Sequence, residues 1–331
     1  MIQLLSNSDY TPLIQNPWII TAIVVGGFLL LCSIALFFVI FNVVFHFTMY
    51  RSPKKARTRE CTNLKDESQM RMFEEGIKWR EERKDKIEEL HIKLDKLNLY
   101  AEYMDLGFDK CAVILQGRTE SLLYSYYFAD VYAKNGYNIL TIDVRAHGLS
   151  DGKYVTAGIK ESDDIVAWIK LINEKHNIND FAVHGICTGG AAAVYSYIKL
   201  KNEGKNLVKA IVTDGLFKTY FDLFKNHFKQ YKKRPFPMLY MVFLKAFVKA
   251  KVRLFTETPY KYMPEFEVPF LLIYSKEDLF CKPDKAQDLF DACGSVNKEL
   301  KFFPEGRHSH VRAVQEEDYD AAIDAFLKGI F

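Results

Sequence analysis

The sequence predicts an α/β fold, a mostly parallel sheet with helices on both faces, preceded by one N-terminal transmembrane helix. Three observations carry this. Short apolar runs alternate with segments of helical periodicity through the C-terminal two thirds. Residues 181–195, Phe-Ala-Val-His-Gly-Ile-Cys-Thr-Gly-Gly-Ala-Ala-Ala-Val-Tyr, read as a strand, a sharp turn and a helix. From Trp18 to Phe47 no residue carries a formal charge unless His46 protonates.

The uncharged stretch is long enough to cross a bilayer with tilt. Before it there is no Lys or Arg, and Asp9 is the single charged side chain, so the basic region of a secretory signal is missing. Arg51, Lys54, Lys55, Arg57 and Arg59 follow it at once. By the positive-inside rule, residues 1–17 form a short extracytoplasmic N-terminus, 18–47 span the cell membrane once, and the remainder is cytoplasmic. Residues 48–86 read as a basic juxtamembrane segment and a charged stalk. Asn63 to Lys86 alternates in charge, with Glu74 and Lys78, and Glu82 and Lys86, at i, i+4, which fits an exposed helix or a charged linker.

Residues 87–331 form the globular part. With 49% hydrophobic residues in the chain, a domain of roughly 240 residues can bury one large core. Glu88 to Leu94 and Leu97 to Met104 look like an antiparallel hairpin at a sheet edge. Strands follow near Ala112–Leu115, Asn138–Ile142, Phe181–Val183, Ala210–Val212, Phe270–Tyr274 and Leu300–Phe303. Between them Ile165, Trp168, Ile169 and Ile172 keep the i, i+3, i+4, i+7 rule of a helix, and a final helix carries Tyr319, Ala322, Ile323, Phe326, Leu327 and Ile330. Six cysteines, Cys32, Cys61, Cys111, Cys187, Cys281 and Cys293, show no C-x-x-C, so neither a zinc site nor a disulfide framework is indicated, and no metal or cofactor is expected. Cytosolic thiols stay reduced. The net charge of +3 points to no partner by itself.

The turn at Cys187 carries the chemistry. A nucleophile on a strained strand-to-helix turn needs glycine two residues to either side, here Gly185 and Gly189, because side chains there would clash. Gly190, Ala191 and Ala192 let the next helix pack close, and its N-terminus favours negative charge at the thiol. Asp278 falls in a loop after the strand at 270–274, and His308 in a loop after the strand at 300–303. Nucleophile, acid and histidine in that order, each after a strand end, make a Cys-His-Asp triad of Cys187, Asp278 and His308. His184 reads as a packed core residue, and Cys281, three residues past Asp278 and so within reach of the site, reads by default as a core or loop thiol.

These residues carry a resemblance. From about Cys111 onward the chain resembles the α/β-hydrolase superfamily, in particular membrane-anchored bacterial hydrolases related to serine aminopeptidases and acyl-thioester hydrolases. Asp143-Val-Arg145-Ala146-His147-Gly148-Leu-Ser150 is similar to the superfamily's D-x-R-G-H-G-x-S segment, with Ala146 at the first glycine, and Asp143, Arg145 and His147 are expected to shape a turn. Leu115-Gln116-Gly117-Arg118 matches the oxyanion loop, with Gln-Gly for His-Gly. Cys187 stands in place of serine, as in dienelactone-hydrolase-like members. The resemblance implies that the backbone N–H groups of Arg118 and Thr188 form the oxyanion hole, that His308 rather than His310 is the base, and that Asp214 is the reserve acid.

It also implies a helical lid at about 217–258. Phe217 to Phe255 holds ten Lys and Arg against the single acid Asp222, interleaved with Phe and Tyr. Three readings fit it: a plain cap over the core, a surface on anionic lipid headgroups, or a site for an anionic substrate such as a phosphorylated lipid or acyl-CoA. No nucleic-acid-binding motif accompanies it. The expected activity is hydrolysis of an ester or thioester of an apolar acyl substrate at the membrane. A peptidase of the serine-aminopeptidase type and a noncatalytic membrane-anchored binding module are the alternatives. Protein partners are left open.

Overall fold

The computed structural model describes residues 16–51, 59–61 and 63–330. Asp9, Lys54, Lys55 and Arg57, on which the topology reading draws, lie outside them. The chain divides between Phe47 and Thr48 into two compact units. The first is dominated by helix α1, Pro17–Met49. Its 33 residues span roughly 50 Å at 1.5 Å per residue, and it is long and apolar enough to cross a membrane. Thr21 Oγ1 donates to the Pro17 carbonyl and Ser33 Oγ to that of Leu29, both at 2.8 Å, so these hydroxyls are satisfied within the helix.

The second unit is built on an eight-stranded sheet in the order β1-β2-β4-β3-β5-β6-β7-β8. The strands are β1 (Ile87–Leu94), β2 (Leu97–Met104), β3 (Lys110–Leu115), β4 (Tyr137–Asp143), β5 (Asp180–Ile186), β6 (Val208–Asp214), β7 (Phe270–Ser275) and β8 (Lys298–Phe303). β1 and β2 form the antiparallel edge hairpin, β2 runs antiparallel to β4, and all later neighbours are parallel. Every residue of β4 and of β7 is buried, the mark of strands covered on both faces. The covering helices are α2 (Glu67–Glu81), α3 (Glu161–His176), α4 (Thr188–Asn202), α5 (Tyr220–Gln230), α6 (Met238–Ala250), α7 (Pro283–Ala292) and α8 (Glu316–Lys328). Ile165, Trp168, Ile169 and Ile172 on α3 and Tyr319, Ile323, Phe326 and Leu327 on α8 are buried at the spacing read from the sequence.

The charged segment after the span differs from expectation. It does form a helix, α2, but α2 packs on the domain and does not stand free. Met72, Phe73 and Gly76 are buried, Phe73 meets the Tyr124 ring at 5.1 Å, and a Cβ on Gly76 would come to 2.6 Å from the Leu123 carbonyl. Neither Glu74 with Lys78 nor Glu82 with Lys86 pairs among the described residues. Arg71 pairs instead with Glu75 and Glu316. The narrow apolar stripe, not the charge alternation, decides where the helix lies.

Arg51 and Arg59, the two described cations of the basic cluster after α1, also bond to the domain. Arg51 donates to the Gly148 carbonyl at 2.9 Å. Arg59 reaches Glu102 on β2 at 2.6 Å, where Arg80, Tyr100 and Tyr126 also donate to the fully buried carboxylate. Burial alone would raise the Glu102 pKa. The hydrogen bonds and charges of Arg80 and Arg59 outweigh that and lower it to about 2.

Candidate active site

β5 ends at Ile186 and α4 opens at Thr188, so one residue makes the turn. Cys187 adopts φ 52°, ψ −108°, a conformation an L-residue holds only under constraint. A Cβ on Gly185 would lie 2.4 Å from backbone atoms of Gly189, and one on Gly189 2.6 Å from the Leu115 carbonyl. Glycine is therefore obligatory at both places. The Cys187 N–H is held by the Asp214 carbonyl at the end of β6, at 2.8 Å. Thr188 stands in the first turn of α4, where N–H groups have no acceptor within the helix.

The loops after β7 and β8 meet beside this turn. His308 Nδ1 lies 2.7 Å from Asp278 Oδ2, and Asp278 Oδ1 accepts the N–H groups of Phe280 and Cys281 at 2.7 and 2.8 Å. Both carboxylate oxygens are thus engaged and the ring is oriented. Gly215, with φ +66°, admits the imidazole: a Cβ there would sit 2.9 Å from His308 Cε1. Burial opposes charge on His308, but the negative charge of Asp278 and the hydrogen bond to it outweigh that and raise the ring's pKa well above the ordinary value. His308 Nε2 is buried and no hydrogen bond joins it to Cys187. Such catalytic contacts commonly tighten only with substrate bound.

The other residues singled out in the sequence fall into clear places. His310 bonds through Nδ1 to the His308 carbonyl and does not reach Asp278. Asp214 accepts from the Tyr319 hydroxyl at 3.2 Å, and burial pushes its pKa up to about 7. His184 is fully buried, with Nε2 3.2 Å from the same hydroxyl, and burial lowers its pKa to about 3. Asp143 accepts the N–H groups of Leu122 and Leu149, and Arg145 pairs with Asp164, so both shape loops as expected. Ala146, at φ 65°, occupies the backbone region that favours glycine. His147 has a further contact: its Nε2 lies 2.6 Å from the Arg118 carbonyl and so fixes the residue expected to supply an oxyanion donor.

Three residues near the site have no role there that the sequence assigns. Cys281 comes to the Asp278–His308 pair, with its Sγ 3.2 Å from the Gly215 carbonyl. Its thiol, a carboxylate oxygen of Asp278 and a ring nitrogen of His308 all lie within 4.8 Å of one another. This donor set suits a soft divalent cation, though Asp278 is already committed to His308. Burial pushes the Cys281 thiol up to about 12, which leaves it a poor nucleophile at neutral pH. Glu120 is buried under the oxyanion loop and accepts the Gly117 N–H at 2.9 Å, and Gln69 of α2 donates to its other oxygen. No local pattern marks Glu120 or Gln69, and only the folded chain brings them to the site, whereas Cys281 stands three residues past Asp278.

The segment expected to form a lid contains α5 and α6. Leu239, Val242, Phe243 and Ala246 pack inward. Tyr240, Leu244, Phe247 and Val248 form a second stripe at i, i+4, i+7, i+8 that faces outward, Leu244 being 64% exposed.

The open parallel sheet with a strained strand-to-helix apex and an Asp–His pair at the strand ends defines an α/β-hydrolase architecture. The family model described as alpha/beta hydrolase fold matches residues 113–236, and that described as serine aminopeptidase, S33, matches 246–312. An esterase of Pyrococcus furiosus, Pf2001, superposes with a TM-score of 0.62 at 25% identity, over 76% of this chain and 95% of that one. The uncharacterized protein YqkD of Bacillus subtilis is 23% identical over 65% of this chain and 70% of its own length. An uncharacterized membrane protein of Saccharomyces cerevisiae, YNL320W, is 23% identical over 72% and 76%. The chain belongs to the α/β-hydrolase superfamily, and at that level it is a hydrolase with esterases among its structural neighbours.

Proposed function

We propose that the protein is a membrane-anchored thiol hydrolase that cleaves esters or thioesters of apolar acyl substrates. The observation that carries this reading is the 2.7 Å bond between His308 and Asp278, set next to a cysteine held at the apex of a strained turn. A binding module needs neither the bond nor the strain.

His308 Nε2 takes the thiol proton, and the Cys187 sulfur bonds to the substrate carbonyl carbon as the carbonyl oxygen becomes an oxyanion. The N–H groups of Arg118 and Thr188 stabilise that charge. Collapse expels the alcohol or thiol, which receives the proton from the imidazolium, and leaves an enzyme acylated on the Cys187 sulfur as a thioester. Water then attacks the carbonyl carbon of this thioester, His308 takes its proton, and as the C–S bond breaks the imidazolium returns a proton to the Cys187 sulfur and the acid departs. Asp278 holds the ring and stabilises its charged form throughout. A thiolate attacks thioesters and activated esters readily, but it is a better leaving group than an amine. This ranks an amidase reading below ester cleavage, although the serine-aminopeptidase match favours a peptidase.

The anchor is α1, supported by its length and apolar character and by the name of the yeast relative, a membrane protein. The orientation proposed is N-terminus outside and hydrolase domain in the cytoplasm. The outward stripe of α6, with Lys249, Lys251 and Arg253 exposed near it, is suited to anionic headgroups. The whole reading is tested by presenting the full chain, in detergent, with matched short-chain thioesters, oxygen esters and aminoacyl amides. Turnover of the first two above the third is expected; turnover of none removes the enzyme reading, and turnover of amides alone makes it a peptidase.

A further inference from the structure

The first turn of α2 touches both loops that bring chemistry to the site. Gln69 donates from Nε2 to Glu120 Oε1 at 3.0 Å, and Glu120 Oε2 accepts the Gly117 N–H at 2.9 Å. Gly117 immediately precedes Arg118, and a Cβ on it would lie 3.1 Å from Glu120 Oε2. Glu120 is buried, so its two oxygens have these donors in place of water. At the head of the same turn Asp66 caps α2 by accepting the Gln69 N–H at 3.2 Å, and it pairs with Arg307, the residue before His308. One turn further along, Arg71 donates to the Ala313 carbonyl at 3.0 Å. The oxyanion loop and the histidine loop lie almost two hundred residues apart in the chain, yet one helical turn holds both.

We propose that the first turn of α2 is a positioning element of the site: Gln69, acting through Glu120, sets the oxyanion loop, and Asp66, acting through Arg307, sets the loop that carries His308. The Glu120 link is the stronger. Its carboxylate is buried, whereas the Arg307 side chain is 56% exposed and a solvated ion pair contributes little. The kinetic consequence rests on the thiol-hydrolase reading above; the loop geometry does not.

The donor pattern supplies a test by reciprocal exchange. Glu120→Gln turns an amide NH2 toward either Gly117 N–H or the Gln69 amide, so one contact is lost. Adding Gln69→Glu restores both, because the amide at position 120 then accepts from Gly117 and donates to the new carboxylate on α2. In the full chain, Glu120→Gln is expected to lower kcat for a thioester about 10- to 100-fold with KM little changed, since the oxyanion contact forms in the transition state. Gln69→Glu/Glu120→Gln is expected to recover to within about 3-fold of wild type. Hydrogen exchange over residues 115–121 should rise in the single variant and return in the double. Unchanged kcat, or a loss that the exchange does not repair, overturns the proposal. If wild type hydrolyses nothing, the functional reading fails, and the exchange data alone decide: no change at 115–121 in Glu120→Gln overturns the positioning role. Should Glu120→Gln not fold, Gln69→Met is expected to slow kcat and loosen 115–121, and unchanged values there overturn it equally.

Discussion

The backbone N–H of Cys187 donates to the carbonyl of Asp214 at 2.8 Å, and the residue after Asp214 is the glycine whose missing side chain admits His308. The end of β6 therefore holds the proposed nucleophile with one residue and clears space for its base with the next. Neither residue takes part in the proton transfers of the proposed mechanism. Together they help hold the apex and the imidazole at the same strand end.

If Cys187 and His308 act as one unit, Cys187→Ala and His308→Ala each remove nearly all hydrolysis, and the double variant is little slower than either single one. Steady-state rates with a short acyl thioester check this. Additive losses would mean that the two residues act independently.

The two buried carboxylates are expected to behave differently. Asp278→Asn breaks the bond that orients His308 and should lower kcat by about 10³-fold or more, whereas Asp214→Asn should leave kcat within about 10-fold. Stability separates them further. The Asp214 pKa is raised by burial to about 7, so the folded protein holds a proton that the unfolded chain releases at lower pH. Stability from this group is present in acid and is lost as pH climbs through about 7. Asp214→Asn should therefore gain stability relative to wild type from pH 5 to pH 8, on the order of 1–4 kcal/mol, in denaturant melts. A gain that shrinks with rising pH would contradict the assignment.

Glu102→Gln leaves Arg59 and Arg80 facing a neutral amide in a buried site, and it should destabilise the domain by about 3–5 kcal/mol at neutral pH. Because the folded pKa is depressed to about 2, the wild-type contribution is fully present above the ordinary carboxylate range and fades as pH falls toward that value. Melts of both proteins should converge in strong acid, and a constant difference down to pH 2 would refute the ion-pair account.

A reporter fused after Phe331 should be protected from protease added to intact cells, as the cations following α1 require. Its digestion from outside would reverse the proposed orientation and remove the argument that the thiols stay reduced.

Much of this is legible in the sequence, for definable reasons. Strands covered on both faces appear as unbroken apolar runs, so β3 to β7 are readable, and a turn that demands glycine at 185 and 189 announces itself. Asp278 and His308 follow from chain order, and the structure brings them together. The charged segment before the domain misleads because dense charge hides the stripe of Met72, Phe73 and Gly76. Cys281 is within reach of the site by its spacing from Asp278, whereas Glu120 and Glu102 lie beyond reach, since a buried acid gains its role from partners distant in the chain.

The central claim is that Cys187 carries the acyl group. Brief exposure of the full chain to an activated acyl thioester, acid quenching and peptide mass mapping test it directly. One acyl group on Cys187, absent after His308→Ala, is the predicted result. Acylation of Cys281 instead, or of no residue while product still forms, would contradict it.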